Sequence, residues 1–215
     1  MLNYYLDKYF SAISCKLALK KINGLKNLPE KGGYIVAANH ASYLDILVVY
    51  TVFLDKAKTY IRFIARKSLL KDTYFRICTF LFENKQNRVI KLDSKKPEKA
   101  FEEAAKALKK ESVVGVYPEG TRSPTGKLQK GKTGVIRLAL SARVPIVPVG
   151  IKGTYELMPK GKAIPKIKKK VVLNIGKPIY FNSFYDKKIP KKLLRKLTDK
   201  VMVKIGELSN QEYKQ

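Results

Sequence analysis

The only histidine of the chain lies five residues before an aspartate, in the segment Asn39-His40-Ala41-Ser42-Tyr43-Leu44-Asp45. An imidazole and a carboxylate at this spacing can form an oriented pair, in which Asp45 accepts the Nδ1 proton and Nε2 of His40 is left free to act as a base. The alternative is a histidine with a purely structural role beside an aspartate that caps a helix. The spacing alone is compatible with both.

Ser42, in the same segment, is a conceivable nucleophile. Serine nucleophiles of α/β enzymes stand in a sharp strand-to-helix turn flanked by glycines, and Ser42 has no such neighbours. We therefore expect the hydroxyl of Ser42 to form hydrogen bonds with nearby backbone groups instead of attacking a substrate.

A second polar segment, Tyr117-Pro118-Glu119-Gly120-Thr121-Arg122-Ser123, contains groups that suit a phosphate. Gly120 allows a close approach of the backbone, and the planar guanidinium of Arg122 can donate two parallel hydrogen bonds to phosphate oxygens. The alternative is a polar turn in which Glu119 and Arg122 form a surface ion pair. A basic loop follows and leads to a predicted helix N-terminus, which is a favourable place for an anion. Its glycines and lysines are Gly126, Lys127, Lys130, Gly131 and Lys132.

Both segments directly follow runs of residues that predict buried strands. Such runs occur at residues 34–38, 60–65, 113–117, 145–149 and 171–175. Helical patterns alternate with them, at residues 67–82, 97–110, 133–142 and 190–208, and residues 44–53 predict a helix or a packed connection. This alternation predicts an α/β fold, a single domain with a central, mostly parallel sheet flanked by helices. In such sheets ligands bind beyond the carboxyl ends of the strands, where both segments lie.

The N-terminus predicts a separate region. Residues 2–21 carry apolar side chains at the spacing of an amphipathic helix: Leu2, Tyr5, Leu6, Tyr9, Phe10, Ile13 and Leu17. No apolar run reaches the ~18 residues of a membrane span, and the N-terminus has no signal-peptide pattern. We therefore divide the chain into an amphipathic membrane-interface helix, residues 1–22, and a globular domain, residues 23–215.

The charge of the chain is strongly positive, because 45 Lys and Arg against 17 Asp and Glu give +28 over 215 residues. Such a protein attracts polyanions, so nucleic acid, anionic lipid and phosphorylated substrates are all candidate partners. Hydrophobic residues make up 45% of the chain, which is a globular composition. Two cysteines, Cys15 and Cys78, exclude a disulfide framework and a cysteine-rich zinc site, and the sequence contains no other cluster of metal ligands.

Taken together, Asn39-His40 with Asp45 and Pro118-Glu119-Gly120-Thr121-Arg122-Ser123 resemble two motifs of the glycerolipid acyltransferase family. The resemblance extends over residues 22–178 and includes three further blocks. These are Gly24 with Asn27-Leu28-Pro29, Phe63-Ile64-Ala65-Arg66-Lys67, and Val144-Pro145-Ile146-Val147-Pro148-Val149. The resemblance implies an α/β acyltransferase domain over residues 23–215.

The resemblance also implies an activity, the transfer of a fatty acyl chain from an acyl thioester to the free hydroxyl of lysophosphatidate, which gives phosphatidate. His40 is then the catalytic base and Asp45 orients it, while Glu119 orients Arg122 or a substrate hydroxyl. With the basic loop included, the expected substrate-binding residues are Glu119, Gly120, Thr121, Arg122, Lys127 and Lys132. The donor, acyl-CoA or acyl-acyl carrier protein, is a co-substrate, and we expect no cofactor and no metal.

One block departs from the family pattern. The family's second motif ends in an arginine after a short apolar strand, whereas the corresponding stretch here, Val89-Ile90-Lys91-Leu92-Asp93-Ser94, has a serine at that place. We therefore expect a cation from a shifted position. The candidates are Arg88, Lys95 and Lys96.

Two alternatives to this activity stay open. A related acyltransferase would act on glycerol-3-phosphate or on a lysophospholipid with another headgroup, because pocket shape decides the acceptor. A basic nucleic-acid-binding protein would have the same high charge. However, the chain has no helix-turn-helix spacing, no aromatic RNA-binding motif and no zinc knuckle, so we expect no nucleic-acid partner.

The expected location is the cytoplasmic side of the cell membrane, with peripheral attachment. Lysophosphatidate, CoA, acyl carrier protein and anionic lipid headgroups are all negatively charged. Basic residues near an anionic membrane contribute about 1 kcal/mol each to binding, so a few well-placed lysines suffice. The anionic membrane surface is therefore an expected partner, and acyl carrier protein is a further candidate.

Overall fold

The computed structural model describes residues 18–55, 57–67, 89–162, 164, 166 and 168–214. Within these residues, seven strands form one sheet: β1 (Leu19–Asn23), β2 (Tyr34–Ala38), β3 (Ile61–Arg66), β4 (Val89–Leu92), β5 (Val113–Val116), β6 (Ile146–Lys152) and β7 (Val171–Ile175). The described helices are α1 (Leu44–Asp55), α2 (Pro97–Lys109), α3 (Gly134–Ala142), α4 (Thr154–Leu157) and α5 (Lys191–Ser209). The predicted α/β fold with a central sheet is confirmed.

The order of the strands brings the two polar segments together. The sheet follows the order β1-β7-β6-β2-β5-β3-β4, in which β2 to β6 are parallel and β7 is antiparallel to β6. β2 lies next to β5, and Ala37 pairs with Val116. The carboxyl ends of β2 and β5 are therefore neighbours, and residues 39–45 and 117–123 meet at one edge of the sheet.

Helices cover both faces of the sheet. All five residues of β2 are buried: Tyr34 and Val36 pack on the face that carries α1, whereas Ile35 and Ala37 pack on the face that carries α2, α3 and α5. Successive side chains of a strand point to opposite faces, so a strand covered on both sides is a continuous apolar run. This explains why Tyr-Ile-Val-Ala-Ala forms the centre of the sheet.

Helices α1 and α5 differ in how they are buried. In α1, ten of the twelve residues are buried, and Asp45 lies in the first turn, where the helix dipole favours a negative charge. In α5, the buried residues follow helical spacing along one face, and lysines cover the other. α1 is thus a core helix that carries a buried carboxylate to the edge of the sheet.

The predicted N-terminal helix extends too far at its C-terminal end. Residues 1–17 lie outside the described residues, but residues 19–21 belong to strand β1 and not to the predicted helix over 2–21. β1 pairs in parallel with β7, and Leu19 lies opposite Val171. Backbone pairing with a strand so distant in the sequence leaves no mark on local periodicity, which is why the pattern continues past the true boundary.

The remaining predicted strands and helices that the structure describes are confirmed, with bounds shifted by at most three residues. The predicted helix at 67–82 lies, except for Lys67, outside the described residues. In the part of the chain that the structure describes, no helix combines the length and the apolar composition needed to span a membrane.

Gly24 follows β1 and lies against the end of β7. Its φ of +80° is a conformation that glycine adopts without strain, and its backbone lies so close to the carbonyl of Ile175 that a side chain would collide with it. The side-chain amide of Asn27 donates to the same carbonyl at 2.8 Å. This block, part of the family resemblance, therefore fixes the end of β7.

Candidate active site

His40 and Asp45 form a buried pair beyond the carboxyl end of β2. Nδ1 of His40 lies 2.9 Å from Oδ2 of Asp45, and the same oxygen accepts hydrogen bonds from the N–H groups of Ala41 and Ser42 at 2.7 and 2.8 Å. Asp45 is fully buried, whereas His40 is 9% exposed. An acceptor held in this way favours the tautomer with the proton on Nδ1 and leaves Nε2 unprotonated, as a general base requires.

The hydroxyl of Ser42 is engaged with the backbone. It donates to the carbonyl of Met158 at 2.6 Å and accepts from the N–H of Leu44 at 3.1 Å, and the residue is fully buried. The expectation that Ser42 bonds to backbone groups is confirmed. Its bonds hold the segment after β2 to the segment after α4.

Asn39 extends the pairing of β2 with β6 by one step. Its side-chain amide donates to the carbonyl of Ile151 at 2.9 Å and accepts from the N–H of the same residue at 2.7 Å. The side chain of Asn39 thus makes the two hydrogen bonds that the backbone of a paired strand residue would make. The residue before the histidine is therefore held to the sheet.

The segment after β5 holds both backbone groups of His40. Oε1 of Glu119 accepts from the His40 N–H at 2.7 Å, and the N–H of Ser123 donates to the His40 carbonyl at 2.7 Å. Oε2 of Glu119 accepts from the backbone and side-chain N–H groups of Gln129 at 3.0 and 3.1 Å. The expected role of Glu119 was to orient Arg122 or a substrate hydroxyl. The structure instead places both carboxylate oxygens on His40 and Gln129.

Burial dominates the ionisation of Glu119, which is 4% exposed. Burial raises its pKa from 4.5 to about 7, although the hydrogen bonds from His40 and Gln129 act in the opposite direction. The folded protein therefore binds the proton more tightly than the unfolded chain does. As a result, the contribution of Glu119 to stability falls as the pH rises between these two values.

A cavity of about 360 Å³ opens beside His40 and combines charged with apolar walls. Its cations are Arg66, Arg122, Lys132 and Lys160, and its apolar side chains include those of Ile46, Tyr50, Ile61 and Phe63. Gly120 and Thr121 also line it. A molecule with an anionic headgroup and a hydrocarbon chain matches this division of the walls. Four of the six expected substrate-binding residues therefore line one cavity with His40, namely Gly120, Thr121, Arg122 and Lys132.

Arg122 and Lys132 are held at this cavity by close packing. The guanidinium carbon of Arg122 lies 3.4 Å from the centroid of the Tyr43 ring, which is a cation–π contact. The side chain of Lys132 lies against Gly120, where a Cβ would come within 3.0 Å of it. Gly120 also has a φ of +71°, a conformation that glycine adopts without strain.

Lys127 lies elsewhere. It lines a second, more polar cleft with Asn39, Lys152 and Tyr155, and it is not among the described residues that line the His40 cavity. The hydroxyl of Tyr155 donates to the carbonyl of Pro124 at 2.9 Å, which holds the basic loop toward α4. The structure thus brings Lys132 to the histidine and leaves Lys127 apart from it.

Two cations at the end of β3, Arg66 and Lys67, lie beside the second-motif strand β4, where the sequence predicts a cation. Arg66 lines the cavity and donates to the carbonyl of Gly120 at 2.9 Å, and Lys67 pairs with Asp93 at 3.0 Å. Of the expected candidates, Lys95 and Lys96 are exposed in the turn after β4, and Arg88 lies outside the described residues. Arg66 belongs to one of the blocks of the resemblance but is not among the expected substrate-binding residues, although its place at the carboxyl end of a parallel strand is a signal that could have identified it.

Comparison with known proteins identifies the family of the chain. A family model described as Acyltransferase matches residues 20–152. The chain is 28% identical over 208 residues to the 1-acyl-sn-glycerol-3-phosphate acyltransferase of Bacillus subtilis (strain 168), which covers 94% of this chain and 96% of that protein. It is 31% identical over 183 residues to the chloroplastic 1-acyl-sn-glycerol-3-phosphate acyltransferase BAT2 of Brassica napus, covering 83% of this chain and 50% of that longer protein.

The fold is similar to a crystal structure of the 1-acyl-sn-glycerophosphate (LPA) acyltransferase PlsC from Thermotoga maritima. The TM-score is 0.72 at 29% sequence identity, and the match covers 98% of this chain and 81% of that one. The family match spans more than half of the chain and contains both the His40–Asp45 segment and the segment after β5. The resemblance stated from the sequence is confirmed, and the protein belongs to the acyltransferase family.

Proposed function

We propose that this protein transfers a fatty acyl chain from an acyl thioester to the free hydroxyl of lysophosphatidate and so makes phosphatidate. The observation that carries the proposal is the shared cavity: an oriented His40–Asp45 pair and the guanidinium of Arg122 border the same space. A base for a hydroxyl and a cation for a phosphomonoester are the two groups that this acceptor requires. The names of the relatives support the same acceptor.

The chemistry follows from the pair. Nε2 of His40 takes the proton of the acceptor hydroxyl while the hydroxyl oxygen attacks the thioester carbonyl. A new C–O bond forms, the C–S bond breaks, and the proton passes from the imidazolium to the departing thiolate. The buried carboxylate of Asp45 stabilises the imidazolium while it exists. No covalent intermediate on the enzyme is needed, in keeping with the backbone bonds of Ser42.

The donor in this proposal is acyl-CoA or acyl-acyl carrier protein, both of which carry negative charge. A net charge of +28 attracts either donor and increases the rate of encounter at low salt. The apolar side chains of Ile61, Phe63 and Tyr50 offer the cavity wall that a hydrocarbon chain needs.

Arg122→Ala tests the phosphate site. We expect this variant to raise KM for lysophosphatidate by about 10- to 100-fold with a smaller change in kcat, because it removes charge-assisted hydrogen bonds present before and during the reaction. The measurement is the initial rate against acceptor concentration at saturating donor. Arg143→Ala is the matched control, since Arg143 pairs with exposed Asp186 and does not line the cavity. An unchanged acceptor KM in Arg122→Ala would remove the phosphate assignment.

We also propose that the protein binds the cytoplasmic membrane surface peripherally through residues 2–17 and its basic surface. Vesicles of neutral phosphatidylcholine should then bind weakly and anionic vesicles strongly, with affinity falling as salt rises. In a flotation assay, Leu6→Glu/Phe10→Glu should release the protein even at low salt, because buried apolar area supplies the insertion energy. The control Ser11→Glu/Cys15→Glu adds the same charge to the opposite face of the predicted helix and should retain more binding. Equal flotation of wild type and Leu6→Glu/Phe10→Glu would contradict the proposal.

A further inference from the structure

Tyr117 lies flat against the catalytic histidine. It is the first residue after β5, and its ring stacks on the His40 imidazole with a centroid distance of 4.0 Å and an angle of 18° between the planes. The ring of Phe63 is parallel to Tyr117 within 6°, at a centroid distance of 6.0 Å. The plane of the imidazole is thus set by an aromatic ring from the segment after β5, in addition to its bond to Asp45.

Two polar atoms of this cluster are buried without a hydrogen-bond partner among the described residues. One is Oδ1 of Asp45, and the other is the hydroxyl of Tyr117. The other oxygen of Asp45 already accepts three hydrogen bonds. Buried polar groups that remain unpaired are costly, and a carboxylate oxygen and a phenol are complementary as acceptor and donor.

The charge of Asp45 acts on the phenol of Tyr117. Burial, together with this charge, holds the pKa of Tyr117 well above its ordinary value of 10.0. The phenol therefore keeps its proton over the whole range in which an enzyme works, and it remains a donor beside a carboxylate.

We propose that Tyr117 is a positioning residue for the His40–Asp45 pair. Its ring fixes the plane of the imidazole, and its hydroxyl donates to the free oxygen of Asp45 through one ordered water molecule. A carboxylate held at both oxygens cannot rotate away from Nδ1 when the imidazole takes up a proton. The proposal rests on the base role of His40 in the proposed function, but its test includes a readout that needs no acyl transfer.

Several charged groups surround the imidazole and must be held constant in that test. Asp45 faces it from α1, and Glu119 holds its backbone from the segment after β5. The cations that line the same cavity are Arg66, Arg122, Lys132 and Lys160. A change confined to the hydroxyl of Tyr117 leaves all of them in place, so Tyr117→Phe isolates the proposed hydrogen bond.

The test uses the fact that the chain has one histidine. The imidazole signals in an NMR titration therefore belong to His40 without further assignment. In Tyr117→Phe the ring remains and the donor is lost, so the carboxylate of Asp45 holds the imidazolium more strongly. We expect the pH midpoint of the imidazole signals to rise in this variant, the acid limb of the kcat profile to move in the same direction, and kcat to fall about tenfold.

Tyr34→Phe is the matched control. It makes the same change at a buried tyrosine, the first residue of β2. His40 follows the other end of that strand, so the imidazole midpoint should remain unchanged. Tyr117→Leu removes the stacked ring as well and should lower kcat below that of Tyr117→Phe. An unchanged midpoint and kcat in Tyr117→Phe would overturn the proposal, and equal kcat values for the two Tyr117 variants would overturn the part assigned to the ring.

The two proposals can fail separately. If wild-type protein makes no phosphatidate while Tyr117→Phe still shifts the imidazole midpoint, the proposed function is wrong and the positioning role of Tyr117 stands. If phosphatidate forms normally and the midpoint does not move, the positioning role is wrong and the proposed function stands.

Discussion

Replacing His40 by alanine is expected to lower kcat by a factor of about 10²–10⁴, which is the usual contribution of a positioned general base. The chain contains no second histidine, and the hydroxyl of Ser42 is bonded to the backbone. The measurement is the initial rate of phosphatidate formation at saturating lysophosphatidate and acyl donor.

The fold of His40→Ala should remain intact. The bonds that Glu119 and Ser123 make to residue 40 involve its N–H and carbonyl, and the bonds of Asp45 to Ala41 and Ser42 are unaffected. Thermal unfolding and circular dichroism of the variant provide the control. A folded His40→Ala protein that keeps more than about a tenth of wild-type turnover would exclude the general-base role.

Asp45→Asn is expected to lower kcat by a factor of about 10² or more and to leave KM for lysophosphatidate nearly unchanged. Three donors converge on Oδ2, namely Nδ1 of His40 and the N–H groups of Ala41 and Ser42, so the amide oxygen of asparagine must occupy that place. The orientation of the ring then survives, but the negative charge that stabilises the imidazolium is lost. A steady-state analysis that separates kcat from KM measures this directly.

The matched control for this variant is Asp55→Asn, the same change at the other end of α1. Asp55 is not among the residues lining the His40 cavity, so kcat should stay near the wild-type value. If Asp45→Asn instead raised KM with little loss of kcat, Asp45 would be a substrate-binding residue and not a partner of the base.

Much of the site could be predicted from the sequence because parallel strands bring their carboxyl ends to one edge. His40 follows β2 and Arg122 lies in the segment after β5, and these strands are neighbours in the sheet. The five-residue spacing of His40 and Asp45 is a local feature, because His40 lies just after β2 and Asp45 lies in the first turn of α1. Local patterns and one rule of sheet topology are therefore sufficient to predict the His40–Asp45 pair and its proximity to Arg122.

The rest depends on contacts that local patterns do not reveal. β1 forms a strand because it pairs at the edge of the sheet with β7, which is distant in the sequence. Glu119 points inward to the backbone of His40 because the loop that contains Gln129 covers it, and a charged residue in a polar turn gives no sign of such burial. Lys127 lines a second cleft together with Tyr155, which bonds to Pro124 in the same loop, and no local pattern indicates this long-range contact.

The most direct test of the central proposal is product analysis with a panel of acceptors. Purified protein is incubated with acyl-CoA or acyl-acyl carrier protein and with lysophosphatidate, glycerol-3-phosphate or lysophosphatidylcholine, and the acylated lipid and the free thiol are both quantified. We expect phosphatidate and free thiol in equal amounts, with a higher kcat/KM for lysophosphatidate than for the other two acceptors. Thiol release without phosphatidate, or faster acylation of another acceptor, would contradict the assignment of this protein as an enzyme that acylates lysophosphatidate.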